Sequence, residues 1–222
     1  MNRAPWPIGL LFGIALVGII GLLGPLALFN PSFTSILQAR HDVAEAIGTT
    51  ADEVQRLTAS YLVDLYTDGA FDAALEGEAE PFLDASERSH MRDVGSLVRM
   101  LALVLIGSLA VAAACGWWMR RERARIGRIM VVSAAVVGGV ALVLAIAFAV
   151  AFDAAFTAFH QLFFEAGTWQ FALGSNLITL FPEPFWFDAA LIAGAAILLV
   201  AAIVSAVGLW LWRTGRTPSG AA

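Results

Sequence analysis

Four apolar runs constrain this chain more than any other feature: about Trp6 to Phe29, about Leu97 to Met119, about Ile129 to Phe152 and about Ala189 to Trp212. A helix needs about 20 consecutive apolar residues to cross the hydrocarbon core of a bilayer, and each run reaches that length. Within lipid every backbone donor and acceptor must be satisfied inside the segment, so runs rich in Leu, Ile, Val, Ala and Gly predict α-helices rather than barrel strands. The expected fold is therefore all-α: a four-helix transmembrane bundle forming a single membrane domain over 1–222. Composition agrees, because 59% hydrophobic residues against 14% charged leave too little polar surface to cover a soluble globule. After four spans, 222 residues leave room for one modest loop domain and none for a soluble catalytic domain. Asn2 and Arg3 precede the first run, as in a secretory signal. That run is longer than an h-region of about 7–15 residues, so a retained span is expected.

Orientation is read from arginine, since the chain contains no lysine. Arg120, Arg121, Arg123, Arg125 and Arg128 crowd the short loop after the second run, and Arg213 and Arg216 follow the fourth. By the positive-inside rule these flanks are cytoplasmic, together with both termini. Residues 30–96 hold 13 acidic residues against four arginines, which suits the opposite side. This net-acidic chain has no basic surface that would suit a nucleic acid.

Two segments then face outward. The first, 30–96, reads as a small helical cap. Thr50 and Glu53 have capping-box spacing, and Val54, Leu57, Tyr61, Leu62 and Leu65 follow as one apolar helical face. Asp84 and Glu87 repeat the spacing and open a helix that runs through His90 into the second span, placing His90 about two turns above the membrane boundary. The second segment, 153–188, is aromatic. Residues 152–187 contain nine of the 15 phenylalanines, with Trp169 and Trp186, and are expected to be partly re-entrant at headgroup level. Phe156, Phe159, His160, Phe163 and Phe164 share one helical face there, and Pro182 and Pro184 are expected to break the chain before it re-enters.

Chemistry narrows to the histidines. Cys115, the only cysteine, lies inside a span, which excludes an intramolecular disulfide and disfavours a thiolate. No nucleophile elbow, metalloprotease helix or phosphate-binding glycine loop occurs, and no metal site is expected. His41 has no flanking pattern and reads as a surface or capping residue. His90 enters the second span from outside and His160 leaves the third toward outside, so both stand near one level, where they can meet beside the aromatic patch. Partial burial and a helix N-terminus both lower an imidazole pKa, keeping such a group neutral and available as a base. Glu87 and Asp93, three residues either side of His90, are candidates to orient it.

The pattern Phe82, Asp84, Glu87, His90-Met91-Arg92-Asp93-Val94, then Phe159-His160-Gln161-Leu162-Phe163-Phe164, Trp169, Phe171 and Leu180-Phe181-Pro182 with Phe185, resembles the family of bacterial four-span proteins that includes the lipoprotein intramolecular transacylase, Lit. Span order and loop length match over nearly the whole chain, more loosely before Glu80. The resemblance implies a multi-pass protein of the bacterial cytoplasmic membrane with an outward-facing site. It also implies a reaction that moves the sn-2 acyl chain of a diacylglyceryl-cysteine lipoprotein onto that cysteine's own amine. His90 and His160 fall on the family's two motif histidines.

Acyl transfer from an ester to a neighbouring amine needs a base, an acid for the leaving glyceryl oxygen and donors for a tetrahedral oxyanion. Two imidazoles can share the proton work, with Glu87, Arg92, Asp93 and Asn176 as supporting candidates. Phe156, Phe159, Phe163, Phe164 and Trp169 would line an acyl site. Membrane lipid and the lipoprotein are the expected partners, and the reaction needs no cofactor. Two other classes fit the same residues. A histidine on each of two helices can ligate haem among phenylalanines, and an acidic cap can serve a non-enzymatic membrane assembly or interaction protein.

Overall fold

The computed structural model describes residues 4–216, so Asn2 and Arg3 lie outside the described residues. Nine helices occur among them: α1 (Trp6–Ala27), α2 (Pro31–Arg40), α3 (Val43–Ile47), α4 (Ala51–Thr67), α5 (Ala85–Trp118), α6 (Arg123–Val150), α7 (Phe152–Phe163), α8 (Asn176–Leu180) and α9 (Glu183–Thr214). Four of them, α1, α5, α6 and α9, are long and apolar enough to cross a membrane. They carry the four runs read from the sequence. Lipid is needed as their solvent, because Leu103, Val143 and Leu199 are 69%, 67% and 62% exposed along their faces.

The chain separates into two compact units. One contains the residues up to Pro25, Ala102–Leu144 and those from Gly194 onward, which is most of the apolar helix length. Phe12, Leu16, Ile20, Cys115, Ala134 and Ala201 form its core. Helices approach closely through small residues: a Cβ on Gly127 would meet the Gly208 carbonyl, and one on Gly24 would meet Ala196. Such contacts suit association in lipid, where no hydrophobic effect drives helix against helix. The α5–α6 turn is fastened to the chain's start, with the Ala4 amide donating to Glu122 (2.6 Å) and Arg125 donating to the Ala4 carbonyl (2.6 Å). Cys115 is buried and free, as its place in a span requires.

The other unit, Leu26–Leu101 with Ala145–Ala193, contains the histidines. Its core joins Val43, Val54, Leu57, Tyr61, Leu62, Leu65, Phe71, Phe82, Leu83, Met91, Leu177 and Leu180. All five residues of the apolar α4 face are therefore buried as the 3.6-residue period implies. Only half of the capping box at α4 forms. Thr50 Oγ1 accepts from the Glu53 amide (3.2 Å), but the Glu53 carboxylate turns to Arg56 and the Glu76 amide. At α5 the box closes on both sides: Asp84 Oδ1 accepts from the Glu87 amide and Glu87 Oε2 accepts from the Asp84 amide, each at 2.8 Å.

Three short helices, α2, α3 and α8, were not foreseen. Asn30 caps α2 by accepting from the Phe33 amide (3.0 Å), with Pro31 at the first helical position. Gly48, at φ 80°, then ends α3. Pro184 differs from expectation as well. It stands in the first turn of α9 rather than before it, where a missing N–H costs no hydrogen bond. The first twelve residues of α5, with Glu87, Arg88, Arg92 and Asp93, precede its apolar run and put His90 outside the spanning part.

Candidate active site

His90 stands on the second turn of α5 and His160 on the third turn of α7, after a break at Ala151 between α6 and α7. The break redirects the chain, because Ala151 leaves helical geometry (φ −140°, ψ 57°) and α7 starts afresh with a strongly amphipathic sequence. The two imidazoles come together. Their ring centroids are 6.1 Å apart with planes inclined by 26°, and the residues are only 6% and 9% exposed.

Aromatic rings enclose the pair. His90 packs on Phe164 (4.9 Å, edge-on) and Phe171 (5.6 Å), and His160 packs on Phe156 (4.1 Å), Trp169 (4.8 Å), Phe164 (5.5 Å) and Phe159 (5.5 Å). Phe164 thus packs on both imidazoles. The aromatic residues divide by exposure: Phe159 and Phe163 are 41% and 43% exposed and offer apolar surface outward, while Phe156, Phe164 and Trp169 are less exposed. Among the described residues, no cluster of three or more His, Cys, Asp or Glu side chains is placed to hold a metal ion.

His160 Nδ1 lies 2.8 Å from the Phe156 carbonyl, which can only accept, so Nδ1 bears the proton and Nε2 keeps its lone pair. Burial in the aromatic shell depresses its pKa, opposed by that hydrogen bond. His90 is pushed down to about 4, first by loss of solvent and then by repulsion from His160. Burial thus favours the neutral form of both rings.

Of the supporting candidates, Glu87 is 1% exposed and fully engaged elsewhere. Its Oε1 accepts from the Leu177 amide and its Oε2 from the Asp84 amide, both at 2.8 Å, so it clamps the start of α5 to α8 rather than bonding to His90. Asn176 donates one N–H of its side-chain amide to the Phe82 carbonyl. Arg92 and Asp93 are exposed on α5, and neither hydrogen-bonds to His90. Three residues along a helix is close enough for contact, so it is the two amide bonds of Glu87 and the exposure of Asp93, not spacing, that keep them from His90. His41 ends α2 and places Nε2 3.0 Å from Asp188, whose Oδ2 also meets Arg40 at 3.3 Å. Phe171, which packs on His90, was missed as a site residue, although it stands in the motif next to Trp169.

A family model described as lipoprotein intramolecular transacylase Lit matches residues 9–186, most of the chain and both histidines. The chain belongs to the Lit family. It is accordingly a multi-pass membrane enzyme of the lipoprotein transacylase class. Its fold is similar to the in meso structure of the membrane-integral Lit from Bacillus cereus, at 18% identity and a TM-score of 0.79, covering 96% of this chain and 97% of that one. Two structures of histidine variants of that protein match as well. One, with arginine in place of a histidine, is 19% identical with a TM-score of 0.76, over 95% of this chain and 92% of the other. The second, with alanine at a histidine, is 18% identical at 0.77, over 96% and 95%. No curated protein matches the chain. Membership in an enzyme family sets aside the interaction-protein reading.

Proposed function

We propose that this Lit-family enzyme moves the sn-2 acyl chain of a diacylglyceryl-cysteine lipoprotein to the α-amine of the same cysteine, on the outer leaflet, with His90 and His160 as the acid–base pair. The observation that carries this is the meeting of two buried, neutral imidazoles, one with its Nε2 lone pair fixed by the Nδ1 contact to Phe156. His160 Nε2 takes the proton that the cysteine ammonium must lose before its nitrogen attacks the ester carbonyl. His90, whose ring centroid lies 6.1 Å from that of His160, is placed to pass a proton on to the departing glyceryl oxygen. Donor and acceptor share one substrate molecule, so holding them in line removes much of the entropic barrier. Phe159 and Phe163 supply exposed apolar surface against which an acyl chain can lie. No protein nucleophile takes part.

Cells displaying diacylglyceryl lipoproteins test this. Expression should leave the intact lipoprotein mass unchanged, while fragment spectra of the N-terminal lipopeptide change to N-acyl cysteine with a monoacylglyceryl thioether. His90→Ala and His160→Ala should abolish the change at near-parent protein levels, and His41→Ala should retain it. Transfer that persists in both site variants would remove the histidine mechanism.

A further inference from the structure

Three buried side-chain polar atoms have no hydrogen-bond partner among the described residues: His90 Nδ1, Trp169 Nε1 and Ser175 Oγ. They are not equivalent. An imidazole can carry its proton on the other nitrogen and a hydroxyl can rotate toward a new acceptor, whereas an indole N–H only donates and is fixed in the ring plane. Leaving such a donor buried and unpaired costs about 1–3 kcal/mol, so its persistence in a folded protein asks for an acceptor that arrives from outside. The indole is not a remote orphan. Its ring lies 4.8 Å from the His160 ring at 35°, in the same aromatic shell as His90. Near by, the Leu177 amide is taken by Glu87 and one N–H of Asn176 by the Phe82 carbonyl.

We propose that Trp169 is a catalytic residue whose indole N–H donates to the carbonyl oxygen of the scissile ester and strengthens that bond as the oxygen becomes an oxyanion. This deepens the transacylase reading and rests on it. In the step, the amine lone pair forms the C–N bond and the carbonyl π pair moves onto the oxygen held by Trp169. The pair then returns and the C–O bond to glycerol breaks. The nitrogen gives up two protons in all: the ammonium's first leaves by way of His160 to solvent before attack, and the second, lost as the amide forms, passes through the imidazoles to the glyceryl oxygen. Bonds and protons then balance, with solvent taking the first proton and no other co-reactant. A neutral donor suits the task, because it needs no counter-charge in an apolar shell and acts most strongly when charge appears.

Purified protein in detergent and a synthetic diacylglyceryl lipopeptide provide the test. Trp169→Phe keeps an aromatic ring against His160 and removes only the donor. It should lower kcat by about 10²-fold while KM stays within about twofold, the pattern of an interaction made in the transition state. A second measurement needs no variant. Replacing the ester carbonyl oxygen by sulfur, a poor acceptor, should slow the parent enzyme far more than it slows the uncatalysed reaction. In Trp169→Phe that oxygen-to-sulfur penalty should largely disappear. A Trp169→Phe enzyme with near-parent kcat, or a parent enzyme indifferent to sulfur, overturns the proposal. Failure of the parent to form any N-acyl lipopeptide overturns the transacylase reading itself, and this inference falls with it.

Discussion

The residue that shows most about this site is His90, because the aromatic rings packed on it, Phe164, Phe171 and His160, are all apolar or uncharged groups. A pH dependence follows. Its folded pKa lies near 4, below the value of about 6.5 in an unfolded chain, so the unfolded state binds more protons between those limits. The resulting stability is fully present above about pH 6.5 and is lost as pH falls through 4. Activity should behave differently from a histidine enzyme with an ordinary imidazole. The acid limb of kcat/KM should follow the substrate's α-amine, with an apparent pKa of about 8, and no second loss should appear near 6.5. A pH–rate profile on a lipopeptide checks this, and a second inflection near 6.5 would show that one imidazole is solvated in the working enzyme. That two histidines share a level was legible from their places at the ends of two spans. Their tautomers were not, because the deciding partner of His160 is a backbone carbonyl, which no side-chain pattern reveals. Glu87 was legible as a capping residue, and its second bond to the Leu177 amide was not, since 90 positions of sequence separate the two.

At the scale of elements, the head of α5 is held by reciprocal caps, and the same carboxylate reaches across to α8. Glu87→Ala removes the acceptor of two amides at once, one of them buried, and should cost about 2–4 kcal/mol. Asp84→Ala removes a single N-cap and should cost about 1 kcal/mol. Thermal unfolding in detergent should therefore rank parent, Asp84→Ala, Glu87→Ala in falling order. An equal loss for both variants would mean that the tie to α8 contributes nothing. The transfer reaction should weaken in Glu87→Ala as well, because the segment it holds follows closely on Phe171, which packs against His90. Elements with a strong period or cap were readable: α4 from its apolar stripe, α5 from Asp84 and Glu87. The short α2 and α3 bury only a few residues each, and their signals, Asn30-Pro31 and Gly48, are the same signals that mark ordinary turns. The end of α6 was readable as the end of the third apolar run near Phe152, but the restart of α7 as a separate helix after Ala151 was not, since neither a proline nor a side-chain cap marks it.

For the whole molecule, the four spans were the easiest feature to read, because lipid demands about 20 apolar residues in a row and tolerates few substitutes. An even number of spans returns the chain to its starting side, which puts residues 30–96 and 153–188 together on the other. Which side that is depends on arginine. Arg120, Arg123 and Arg216 lie over Trp117, Trp210 and Trp212 at 4.5, 5.5 and 5.7 Å, a combination of cation and interfacial aromatic that suits a headgroup layer. We propose, on the positive-inside rule, that the five arginines of residues 120–128 are cytoplasmic, which would turn the histidine pair toward the compartment where lipoproteins are displayed. Single-cysteine labelling in a Cys115→Ala background checks this directly, since no other thiol competes. Glu78→Cys, at an exposed position in the acidic segment, should react with a membrane-impermeant maleimide in intact cells. Arg121→Cys, exposed between α5 and α6, should react only after the cells are opened. The reverse pattern would turn the site toward the cytoplasm, away from its proposed substrate, and would refute the outer-leaflet reaction even if both histidines proved essential.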